Sequence, residues 1–86
     1  MARLGVILKV MPKDPQVDLD DLESKIRSVV EVLKVEKKPI AFGLNALMVT
    51  VVIPDAEGGT DPLEAKIRGI GGVGEVSVET LSRLVE

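Results

Sequence analysis

Apolar and polar positions along this chain fall into blocks of two different periods. From Arg3 to Met11, Leu4, Val6, Leu8 and Val10 alternate with Arg3, Gly5, Ile7 and Lys9. That period of two predicts a strand with one well-buried face. The stretch MPKDPQ ends it, because Pro12 and Pro15 cannot donate ladder hydrogen bonds. Leu19, Leu22, Ile26, Val29, Val30 and Leu33 then recur at helical spacing behind Asp18, a good N-cap. This predicts a helix over Leu19–Val30, although no Gly or Asn marks its exit. A second strand is expected over Val32–Ala41, with Pro39 tolerated best at a sheet edge. A third, Leu44–Ile53, reads almost continuously apolar, as a central strand does.

After the loop PDAEGGT, Asp61 is the expected N-cap of a second helix. Pro62 suits its first position, and Glu64 stands where a capping-box acid belongs. Leu63, Ile67 and Ile70 form its apolar stripe, and the glycines from Gly69 end it. The last strand is expected over Gly74–Val85, with Val76 and Val78 alternating with Glu75, Ser77 and Glu79. The order β-α-β-β-α-β predicts a ferredoxin-like α+β sandwich: a four-stranded antiparallel sheet of order 4-1-3-2 with both helices on one face. The second strand is then an edge, which accommodates Pro39. The hairpin joining strands two and three lies at one end of the sheet and the end of strand four at the other. A nine-residue strand rising about 3.3 Å per residue separates them by roughly 30 Å.

Composition narrows the possibilities. The 86 residues make one small domain, 45% apolar and almost entirely aliphatic. No stretch approaches the roughly 18–20 apolar residues of a membrane helix, and the N-terminus has no signal-peptide pattern, so a cytoplasmic, non-membrane protein is expected. The absence of Cys and His removes disulfides, thiol nucleophiles, the usual zinc sites and imidazole bases. A net charge of −3 with a single aromatic residue argues against direct nucleic-acid binding, which favours basic surfaces and stacking rings.

Three features invite a functional reading. Asp18, Asp20 and Asp21 have carboxylates enough for a metal, but no calcium-loop spacing follows, and acids at a helix start complement the helix dipole. Gly58 and Gly59 precede a helix as in phosphate loops, yet no Lys follows and Asp55, Glu57 and Asp61 would repel a phosphate. No nucleophile–base pair is assembled, and neither a cofactor nor a resident metal is expected. The third feature is Phe42, the only aromatic, placed at the predicted hairpin beside Gly43. It serves either as a staple folding back over the sheet edge or as an exposed anchor entering a partner's pocket.

The segment PIAFGLNAL, the apolar MVTVVIP, the loop DAEGGTD and the terminal LSRL together resemble the archaeal elongation factor 1-beta family. They are also similar to the guanine-nucleotide-exchange domain at the C-terminus of the eukaryotic 1-beta and 1-delta subunits. The resemblance covers essentially the whole chain, residues 1–86, as a single exchange domain, without the eukaryotic N-terminal domain and acidic linker. It implies a protein that promotes exchange of GDP for GTP on the elongation factor 1-alpha GTPase by binding its GDP-bound and nucleotide-free forms, without covalent chemistry. The family's basic residue near the C-terminus, which displaces the GTPase magnesium, corresponds to Arg83, where eukaryotic members carry Lys. The family's hairpin aromatic, which contacts the second domain of the GTPase, corresponds to Phe42. Ile40 and Gly43 beside it and Leu84 beside Arg83 are the further partner-binding positions.

Two other classes share the topology. A small-molecule-binding regulatory module would dimerise through its sheet edges, whereas strand two carries Glu36, Lys37, Lys38 and Pro39, which discourage edge pairing. An RNA-recognition domain needs aromatics on the open sheet face, and strands one and three have none.

Overall fold

A computed structural model describes residues 3–40, 43–54 and 59–84. The elements are β1 (Arg3–Pro12), α1 (Leu19–Val29), β2 (Val32–Pro39), β3 (Asn45–Pro54), α2 (Asp61–Arg68) and β4 (Val73–Leu84). The strands form one antiparallel sheet of order β2-β3-β1-β4, the predicted arrangement read from the other edge. The molecule measures 41 × 21 × 18 Å.

The alternation read in β1 is the burial pattern observed: Leu4, Val6, Leu8 and Val10 are all buried, and the residues between them are not. Across the ladder Val6 meets Val51 and Leu8 meets Val49. These positions share one cluster with Leu22 and Ile26 of α1 and Leu63 and Ile67 of α2. Both helices therefore cover the same face. Among the described residues, all of the fully buried large side chains are aliphatic and no polar side chain is buried. The core is held by apolar area alone, at about 25 cal/mol per Å² removed from water.

The caps follow local chemistry. Asp18 accepts from the backbone N–H groups of Asp20 and Asp21 at 2.9 and 3.3 Å, satisfying donors that the first helical turn leaves free. Val30 closes α1 as its C-cap with extended backbone, its N–H still donating to the Ile26 carbonyl. The helix thus stops one residue short of the prediction, because the β-branched pair Val29-Val30 is already turning into β2. Leu33, which continues the helical spacing, lies in β2, within the strand expected over Val32–Ala41.

At α2 the cap is Thr60 rather than Asp61; Asp61 opens the helix and Pro62 stands second. The Thr60 carbonyl accepts from the Glu64 N–H at 2.9 Å, while its hydroxyl lies 3.3 Å from a Glu64 carboxylate oxygen. That contact takes the place of the expected capping box. The strand bounds differ from the prediction by small margins. β1 extends through Pro12, β3 runs Asn45–Pro54, and β4 begins at Val73. The predicted ends Ala41 and Val85 lie outside the described residues.

Three irregularities punctuate the ladders among the described residues. Leu33 in β2, and Gly74 and Glu79 in β4, are extra residues with no partner across the ladder. Gly74 is dictated by space: a Cβ there would come within 2.8 Å of Lys13 Cα and 3.0 Å of the Pro12 carbonyl oxygen. Only glycine admits so close an approach of two backbones.

Candidate functional site

Those of the predicted site positions that are described, Ile40, Gly43, Arg83 and Leu84, sit at the two ends of the sheet. At one end β2 returns into β3 where the Ile40 N–H donates to the Leu44 carbonyl at 2.9 Å. Gly43 has φ +76°, with nothing within 4 Å of a Cβ built on it. Its requirement is conformational: the left-handed backbone that leads the chain into β3 suits a residue without a side chain. Ile40 is 40% exposed at this end. Phe42, the predicted anchor, lies outside the described residues together with Ala41.

Beneath the hairpin, Lys37 Nζ lies 2.7 Å from Asp20 Oδ1. The hydrogen bond to Asp20 and then its charge raise Lys37 above the ordinary lysine value. This pair joins the edge strand to the start of α1. Asp21 pairs with Lys25 at 3.2 Å. Each of the three clustered acids therefore has a structural role, Asp18 as a cap and Asp20 and Asp21 in ion pairs. Of the other candidate loop, Gly59 has φ +54°, and Gly58 lies outside the described residues.

At the opposite end, Arg83 stands opposite Leu4 and Leu84 opposite Arg3 in the β1–β4 ladder. Leu4 in turn pairs with Ile53 of β3, and Ile53 is nine residues from Leu44 at the hairpin base. At about 3.3 Å per residue the two ends are roughly 30 Å apart, as the topology predicted. The structure does not bring position 83 and the hairpin together.

The sequence-based expectations did not include what surrounds position 83. Among the described residues the exposed large hydrophobics are Val29, Leu33, Ile40 and Leu81. Ile40 belongs to the hairpin end, and the other three to the end of position 83. A cleft of about 370 Å³ opens there between α1, α2 and the end of β3, lined by Val29, Val51, Ile53, Pro54 and Leu63 with Glu31 and Lys66. The signal was present in the spacing. Val32 and Val35, Val73 and Val76, and Val78 and Leu81 each stand three residues apart, and each interval encloses one of the three unpaired residues.

The fold and the helix-covered sheet define a ferredoxin-like α+β domain. Residues 5–84 match the family of the EF-1 guanine nucleotide exchange domain, and the chain belongs to that family. It is 44% identical to elongation factor 1-beta of Hyperthermus butylicus over 100% of this chain and 99% of that protein. With elongation factor 1-beta of Methanothermobacter thermautotrophicus it shares 45% identity over 99% of this chain and 100% of the relative. Against that of Natronomonas pharaonis the identity is 39%, over 98% and 100% of the two chains. No helix among the described residues is long and apolar enough to cross a membrane.

Proposed function

We propose that this protein promotes release of GDP from the elongation factor 1-alpha GTPase, regenerating the GTP form that carries aminoacyl-tRNA, in the cytoplasm and without direct contact to nucleic acid. It acts by binding the GDP-bound GTPase and stabilising the nucleotide-free form. Arg83 enters the magnesium site of the GTPase and displaces the ion. Without the cation the charge of the GDP diphosphate is uncompensated, and the nucleotide leaves faster. Arginine is as cationic as the lysine of eukaryotic relatives but planar and bulkier, so it meets the site through a fork of donors rather than a point charge.

Family membership supports the reading, and the observation that carries it furthest is the separation of position 83 from the hairpin. Sites roughly 30 Å apart suit a partner of two domains bridged by this one. Phe42, with Ile40 and Gly43, anchors one domain of the GTPase, while Arg83 and Leu84 work at the nucleotide site of the other. The deciding experiment loads the GTPase with a fluorescent GDP and adds the protein. Release accelerated in proportion to added protein supports exchange, and unchanged release favours the regulatory module.

A further inference from the structure

Both helices pack on one face of the sheet, and no element among the described residues covers the other. The ladders arrange that bare face in rows. Lys34, Thr50, Ile7 and Thr80 form one row across the four strands, and Glu36, Met48, Lys9 and Ser77 form the next. Ile7 and Met48 are half-buried, as are Met11 and Val52 on the same face. The centre of the face is therefore aliphatic, with hydroxyls beside it.

One cation sits in that centre without a counter-charge. Lys34 holds Glu36 at 2.9 Å, whereas Lys9, half-buried between Met48 and Ser77, has no ion-pair partner among the described residues. Glu75, the acid nearest to it by register, stands opposite Met11 and makes no ion pair. A surface closing over Lys9 would strip the remaining water from its ammonium group, which is costly unless an opposite charge replaces it. A purely apolar partner is therefore disfavoured, and one that brings a carboxylate among aliphatic side chains is matched. These rows hold no aromatic ring for a base to stack on, and Glu36 and Glu75 oppose a phosphate backbone. Extra residues interrupt both edge strands, which turns a partner from the edges to the face. Four strands about 4.8 Å apart and about seven residues of about 3.3 Å give this face roughly 400 Å². A standard interface takes about 800 Å² from each partner, so the face suits a reversible contact rather than a permanent dimer.

We infer that the bare face of the sheet docks an acidic segment of a protein partner, with one carboxylate meeting Lys9 and aliphatic side chains packing on Ile7, Met11 and Met48. Ser77 and Thr50 beside them offer hydroxyls to the polar groups of that segment. Position 83 and the hairpin lie at the ends of the sheet, so docking here is independent of the exchange reading above.

The test titrates the isotopically labelled protein with a synthetic helical peptide whose apolar face carries leucines and one central glutamate. A second peptide has glutamine in place of that glutamate. Amide NMR shifts should cluster on the rows of Lys9 and Ile7 and weaken as salt is raised. The glutamine peptide should bind about tenfold more weakly, the effect of losing one charge-assisted hydrogen bond. Lys9→Met should weaken the glutamate peptide by a similar factor. Both changes together should cost little more than either alone, because they remove the same contact. Thermal melts of Lys9→Met should match the parent, and the glutamine peptide probes the contact without altering the protein at all. Equal binding of the two peptides to the parent, shifts confined to the helices and the sheet ends, or no binding overturns the inference. Tighter binding of a uridine oligonucleotide on the same rows assigns them to nucleic acid. Shifts of these rows with protein concentration alone assign them to a second copy, and either result also overturns it.

Discussion

Arg83 stands opposite Leu4 in the β1–β4 ladder because Glu79, four residues earlier, has no partner in β1. The unpaired Glu79 thus sets the row on which position 83 falls. The hairpin lies at the far end of the same sheet, where Ile40 bonds to Leu44.

If Arg83 displaces the magnesium, Arg83→Ala should severely cut catalysed GDP release while melting like the parent, since a single charge at a strand end contributes little to stability. Arg83→Lys should retain partial or full activity. Raising magnesium should slow the reaction of the parent protein, because ion and side chain compete for one site. Normal exchange by Arg83→Ala would remove the residue from the mechanism.

Phe42→Ala should weaken the complex by about 2–4 kcal/mol, as for a buried interface aromatic, and cost the free protein less than about 1 kcal/mol. A core staple would reverse the order, losing about 3–5 kcal/mol of folding stability. Melting and binding measured on the same variant separate the two. Combined with Arg83→Ala, its effect on exchange should be close to additive, since sites this far apart share no neighbours. Strong coupling would mean that both residues act on one pocket.

Gly74→Ala should destabilise the fold by about 1–3 kcal/mol, since the backbone of Lys13 must move to admit the methyl group. In a domain this small that corresponds to a fall in melting temperature of roughly 4–8 °C per kcal/mol. The same change at Gly43 meets no neighbour and should cost only the strain of left-handed backbone, about 1 kcal/mol. An equal or larger loss at Gly43 would contradict the close approach at Gly74.

The Lys37–Asp20 pair makes a pH-dependent contribution whose sign is fixed by the direction of the Lys37 shift. A lysine raised in the folded protein stabilises it fully below the unfolded value of 10.5. That contribution is lost as pH rises through the higher folded value. Denaturant titrations carried above pH 10.5 should show the parent converging on Asp20→Asn. Because the pair is exposed, the difference at neutral pH should be small and shrink with added salt. A difference that grows with pH would show that Asp20 acts on the fold by another route.

The order of elements, the sheet order and the core were all legible in the amino-acid pattern. Period-two runs such as Leu4–Val10 and helical spacing such as Leu22 and Ile26 have one way each to bury their apolar members. The separation of the site positions was equally legible, because antiparallel connectivity sets a β2–β3 hairpin apart from the end of β4 whatever the side chains are. Helix caps were less so: Asp61 and Thr60 both qualify, and only the Thr60 carbonyl bonding to the Glu64 N–H chooses between them. The surroundings of position 83 came from the pairing of strands. Whether Leu33 and Leu81 are buried depends on which residues the neighbouring strand can pair. A spacing of three between valines marks an irregularity but does not say which intervening residue is looped out. Leu33 reads equally well as the end of a helical stripe until α1 stops at Val29 and the bulge sets it at the surface. Register is a property of two strands together, so the exposed apolar end exists only once β1 has met β4 and β3 has met β2.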